Sequence, residues 1–182
     1  MKKTTQFFLA SAALFFICYS CESKKVVINR EVKTSDDGQM LLGYQTKNQL
    51  LKEPYSKWYT PEHDEYAVDQ NAVAELKKEK LNSYNITVVL GTWCEDSHRE
   101  VPRLFRILEQ VGFPDSKLTL IAVNRKKESP GGEEGPLNIQ LVPTIILQKY
   151  GKEVGRIVET PQSGYLERDL LEIIKKDPNV KL

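Results

Sequence analysis

Three cysteines occur in the chain, Cys18, Cys21 and Cys94, and their placement limits the chemistry available. Cys18 lies inside an N-terminal apolar run and Cys21 just after it, so only Cys94 belongs to the globular part. A domain with one cysteine closes no disulfide within itself. A lone thiol can still attack a disulfide as thiolate and be held as a mixed disulfide. Cys94 sits in Gly91-Thr92-Trp93-Cys94, between an apolar β-branched run and a helical pattern. A helix N-terminus there favours thiolate over thiol, through its free amides and its dipole. Glu95 and Asp96 oppose a second negative charge beside the sulfur, and His98 could assist if protonated. Ser97 could donate a hydrogen bond to the thiolate, or be a small polar residue in the first helical turn. Cys94 and His98 are four apart on one helix face, but two ligands are too few for a structural zinc site, and no metal is expected. His63 is the only other histidine.

The elements that position Cys94 follow from periodicity. Ile86 to Leu90 is a compact β-branched run that reads as a strand buried on both faces. Ser97 to Gln110 carries Val101, Leu104, Phe105 and Leu108 at helical spacing. Leu118 to Val123 predicts a second buried strand, and a loose Gly- and Pro-rich segment, Ser129 to Pro136, follows. Thr144 to Gln148 and Val154 to Glu159 predict a hairpin, and Gly164 to Lys176 an amphipathic closing helix. Upstream, Asp69 should cap a helix over Asn71 to Lys80. Gln45 to Lys57 has the composition of a short helix interrupted by Pro54. Thr60-Pro61-Glu62 reads as a further helix start, with Trp58, Tyr59 and Tyr66 as local core. Strands separated by helices imply parallel pairing and the hairpin an antiparallel edge, with helices covering both faces.

Trp93-Cys94-Glu95-Asp96-Ser97 resembles the W-C-x-x-C site of thioredoxins. Pro102 stands where thioredoxins carry the proline that kinks the active-site helix. Val142-Pro143-Thr144 is similar to their cis-proline loop, and Gly151-Lys152 with Gly155 to their hairpin turn and bulge. The match covers roughly residues 86–176. The resemblance implies an α/β, thioredoxin-like three-layer fold with a central mixed sheet flanked by helices, here with a helical N-terminal extension. It also implies that Pro143 and Val142 frame Cys94 and, with Trp93, meet an extended substrate. Two positions depart from the family. Ser97 replaces the resolving cysteine, and Val88 stands where thioredoxins often bury an acid. Without a second thiol, a mixed disulfide persists until an external thiol resolves it.

Lys2 and Lys3 precede the apolar run Phe7 to Tyr19, which is too short to span a bilayer and reads as a secretory signal. Ser20-Cys21 then resembles the lipobox of bacterial lipoproteins, in a loose form of the Bacteroidetes type with Cys18 where Leu is usual. That resemblance implies lipidation at Cys21, a membrane anchor, and a place in the cell envelope facing the periplasm or the exterior. Residues 1–20 are then the signal, 21–44 a polar tether in which Val26 to Val32 is left open as a short strand, and 45–182 the domain, with a core over about 69–176.

The 182 residues carry 26 basic and 25 acidic side chains for a net charge of +1, which gives no field suited to nucleic acid. Gly131-Gly132 lies beside Glu133-Glu134, which does not suit a phosphate loop, and no cofactor is expected. Arg125-Lys126-Lys127 reads as a solvated strand end. Two functions fit the residues. One is monothiol thiol–disulfide oxidoreduction or isomerisation through Cys94, on exported thiol or disulfide proteins or small thiols. The other is a non-catalytic module that binds an exported protein or peptide partner through Val142, Pro143 and Trp93.

Overall fold

A computed structural model describes residues 26–178. The signal at 1–20 and the lipidation at Cys21 lie outside the described residues. Six strands are formed: β1 (Arg30–Thr34), β2 (Gly38–Gln45), β3 (Asn85–Leu90), β4 (Leu118–Ala122), β5 (Thr144–Lys149) and β6 (Lys152–Val158). Four helices join them: α1 (Ser56–Glu65), α2 (Gln70–Lys78), α3 (Glu95–Val111) and α4 (Leu166–Lys176). The strands make one mixed sheet in the order β1-β2-β4-β3-β5-β6. Only β3 and β4 pair in parallel; every other neighbour is antiparallel.

The polar stretch read as a tether is instead a hairpin inside the sheet. β1 pairs with β2, and β2 pairs with β4 through Gly43, Tyr44 and Gln45. The charge that suggested a tether belongs to an edge strand, where Arg30, Glu31 and Lys33 are exposed. Charged side chains are a common defence of a sheet edge against pairing with another chain. The apolar residues that commit the segment are Met40 and Leu41, both buried. Asp36-Asp37-Gly38 makes the expected turn, with Gly38 at φ 65 and the Asp37 amide donating to Thr34 Oγ1 at 3.0 Å.

Alternation along the strands divides the sheet into two faces. Leu41, Ile86, Val88, Leu90, Leu120, Ala122, Ile145 and Leu147 point into the main core, with apolar residues from all four helices. These helices contact one another: α3 meets α1, α2 and α4, and α2 meets α4. The opposite face carries Val89, Ile121, Val123 and Val142, against which Leu137, Ile139, Tyr44, Trp93 and Cys94 pack. The layer on that face is therefore the 124–143 segment rather than the helices the alternation of elements predicts. Between β4 and β5 the Gly- and Pro-rich segment forms only a short 3-10 turn at Gly135–Leu137, and α1 packs on α3 instead, with Tyr59 buried against Phe105 at 6.0 Å between ring centroids.

Helix ends follow local chemistry. Asp69 caps α2, accepting from the Asn71 and Ala72 amides at 3.0 and 3.2 Å. Gly112, at φ 77, ends α3 in the left-handed conformation that suits glycine. α1 begins at Ser56, a turn before the start predicted at Thr60-Pro61, so Pro61 lies within the helix. Packing of Tyr59 on α3 overrides the local start signal.

Candidate functional site

β3 delivers the chain to Cys94. Leu90 ends the strand, and the Cys94 amide turns back to Gly91 O at 2.9 Å. Cys94 then occupies the N-cap of α3 with extended φ and ψ of −105 and 124. Its side chain caps none of the helix amides. Instead the half-buried sulfhydryl donates to Val142 O at 3.1 Å. Only the protonated sulfur makes that bond. The Val142–Pro143 peptide is cis, and both residues are buried beside the sulfur. Cys94, Val142 and Pro143 are thus brought together as the sequence resemblance implies.

Ser97 is placed differently from expectation. It is fully buried, and its Oγ accepts from the Gly91 amide at 3.2 Å. No hydrogen bond joins it to Cys94. The hydroxyl ties the first turn of α3 to the end of β3, which is a positioning task. Trp93 is also committed. Its Nε1 donates to Val123 O at 2.9 Å, and its ring lies so close over Gly91 that a Cβ there would come within 2.6 Å of Cε2. Glycine at 91 is needed for that close approach.

The charged groups around the sulfur are mostly paired. Asp96 bonds Arg99 at 2.7 Å, and Arg99 also reaches the buried Glu100 at 2.7 Å. Burial pushes the Glu100 carboxyl above its ordinary range, against the pull of Arg99. His98 Nε2 lies 2.9 Å from Thr92 O, and its ring stacks on Trp58 of α1 at 4.4 Å. Bonded there and stacked, His98 braces the loop before Cys94; it does not join the sulfur. No group of three or more His, Cys, Asp or Glu that could hold a metal occurs among the described residues.

Two contributors were not singled out by sequence reasoning. The N-terminal hairpin reaches the site, since the Leu41 amide donates to Thr92 Oγ1 at 3.2 Å. Arg125, just past β4, lays its guanidinium over Trp93 at 4.9 Å and bonds Asp37 of the β1–β2 turn at 2.6 Å. The run Arg125-Lys126-Lys127 carries no signal of this, because the partners come from residues 37 and 93. Two cavities of about 700 and 620 Å³ open elsewhere, lined by β6 with α4 and by β2 with the 130–136 loop; neither touches Cys94.

No family model matches the chain, and none of the curated proteins matches it. Solved structures similar to it include a protein of unknown function from Pseudomonas aeruginosa, 14% identical over 66% of this chain and 82% of that one, at a TM-score of 0.49. Mitochondrial thioredoxin 3 from Saccharomyces cerevisiae is 20% identical over 55% of this chain and 89% of that one, at a TM-score of 0.37. Thioredoxin O2 from Arabidopsis thaliana is 20% identical over 61% of this chain and 90% of that one, at a TM-score of 0.36. Among the described residues the fold is α/β, a mixed sheet of six strands with four helices.

Proposed function

We propose that this protein performs monothiol thiol–disulfide exchange through Cys94 on extended disulfide-bearing chains in the cell envelope. The observation that carries the reading is the Cys94 sulfur 3.1 Å from Val142 O, beside a cis-proline and at a helix start. In the first step the proton leaves the sulfur and the Val142 contact is released. The Cys94 thiolate then attacks one sulfur of a substrate disulfide. A Cys94–substrate disulfide forms, the substrate S–S bond breaks, and the departing thiolate takes up a proton. In the second step a thiolate, either another one of the substrate (isomerisation) or an external one from a protein or a small thiol (exchange), attacks the substrate sulfur of that mixed disulfide. Cys94 leaves as thiolate and the substrate emerges with a new disulfide. No net electrons are gained or lost, so the chemistry is isomerisation or exchange. Cys94 is the free cysteine among the described residues, and Ser97 has no thiol with which to resolve the adduct.

Export and anchoring rest on the basic head, the short apolar run and Ser20-Cys21. An oxidising compartment is where disulfide substrates persist.

The test is trapping. Purified full-length protein, mixed with an oxidised peptide substrate, should accumulate a mixed disulfide at Cys94 that survives until a small thiol is added. Cys94→Ala should form none. Absence of the adduct in the wild type would sink the reading. A second reading, a non-catalytic peptide-binding module, is favoured by the Val142 amide, which bonds nothing among the described residues and could pair with an extended strand. On that reading Cys94→Ala leaves partner affinity unchanged.

A further inference from the structure

We infer that Arg125 is a specificity-determining residue, which selects thiols and disulfides carrying a carboxylate close to the reacting sulfur. The inference deepens the exchange reaction proposed above and rests on it. Its starting point is that Trp93, the expected substrate contact, has little surface left to offer. One edge is bonded to Val123 O, the indole lies against Gly91, and the guanidinium of Arg125 covers it at 4.9 Å. A group approaching Cys94 from that side meets the cation before it meets the indole.

Arg125 is held in place yet unsaturated. Its Nε and Nη2 both bond Asp37 Oδ1, at 2.8 and 2.6 Å. A guanidinium has five N–H donors in a rigid fork, so three remain open, in the planar pattern that suits a carboxylate. Asp37 has only a tenth of its side chain exposed, whereas Arg125 keeps 61% of its own. The turn thus anchors the cation from below and leaves its outer edge to solvent. The guanidinium stays charged, held so first by Asp37, and the ring it covers belongs to Trp93, the residue directly before Cys94. Arg99 is engaged with Asp96 and Glu100, while Lys126 and Lys127 follow Arg125 in the chain without an ion-pair partner among the described residues. Asp36 and the exposed Glu95 are anions that repel an acidic substrate, and Arg125 acts against them.

The experiment measures exchange rates at Cys94 in the full-length protein, read by peptide mass so that Cys18 and Cys21 do not contribute. The probes are mixed disulfides with one neutral leaving group, 2-thiopyridine, so that departure is the same for all. The small arm compares mercaptopropionate, mercaptoethanol and cysteamine adducts. The peptide arm compares a cysteine flanked by Asp with one flanked by Lys. Each rate is divided by that of a small free thiol. We expect the anionic probe to exceed the cationic one by about fivefold at low salt, with the ratio shrinking at ~0.5 M salt. Arg125→Ala should bring the ratio to within about twofold of unity, and Arg125→Lys, which keeps the charge but loses the fork and its two bonds to Asp37, should keep only part of it. A ratio confined to the small arm identifies small acidic thiols as the source, and one present in both arms identifies acidic protein segments. Reaction at Cys94 without a charge preference, or with a preference that Arg125→Ala leaves intact, overturns the inference while leaving exchange standing. No reaction with any probe overturns both.

Discussion

Ser97 shows how a residue can occupy a chemical position and do structural work. Its place in the W-C-x-x-S pattern suggested a partner for the sulfur, but its hydroxyl accepts the Gly91 amide in a site without solvent. Ser97→Ala leaves that buried N–H unpaired and should cost about 1–3 kcal/mol of stability in urea unfolding. The alkylation rate at Cys94 should stay within about twofold of wild type, because no bond joins the two side chains. A large rate change at unaltered stability would restore a chemical role to Ser97. That Cys94 and Val142 meet was implied by the resemblance of Val142-Pro143-Thr144 to a cis-proline loop, whereas the strand and helix that carry Cys94 have local signatures of their own. The sequence could not foretell that Ser97 would turn to Gly91 or that Arg125 would cover Trp93. Those contacts depend on which face of the sheet each loop folds over, and no local pattern encodes that.

Among the elements, α3 carries both the site and the centre of the core. Glu100 sits within it, 3% exposed, with Arg99 as its bonded cation. Burial raises its folded pKa above the unfolded value. The folded state therefore binds the proton more tightly, so the contribution of Glu100 to stability is fully present below the unfolded pKa. It is lost as pH rises through the folded value. Glu100→Gln should remove that decline, so the urea midpoint of the variant falls less than wild type from the ordinary carboxylate range upward. Parallel profiles for the two proteins would show that Arg99 cancels the cost of burial. The helical elements were legible because their apolar stripes are regular, and Asp69 announced α2 by its cap. The start of α1 was misplaced because Thr60-Pro61 is a good local signal that burial of Tyr59 overrides.

For the whole molecule, the N-terminal hairpin is the largest departure from what the sequence suggested. β1 reads as polar because it is an exposed edge, and β2 offers only the short apolar run Met40-Leu41-Leu42 between polar flanks, with Leu41 fully buried. A run of three apolar residues is too short to announce a strand by periodicity. A chain beginning at Val26 should unfold cooperatively, since it retains the six described strands. One beginning at Thr46 exposes the free edge of β4 and the Leu41 socket, and should aggregate or lose its sharp transition on heating. Leu41→Ala in the full chain should cost about 2–5 kcal/mol by denaturant titration. Equal melting of the two truncated chains would return the hairpin to the status of a tether.

The hairpin also sets a leash. Only eight residues separate Cys21 from the first residue of β1 at Arg30, and fully extended they reach roughly 30 Å. A lipid at Cys21 would thus keep the start of β1 within roughly 30 Å of the bilayer, so that Cys94 serves the membrane surface rather than the open compartment. Disulfides presented by neighbouring anchored or inserted proteins fall inside that radius; those of freely diffusing proteins must come to it.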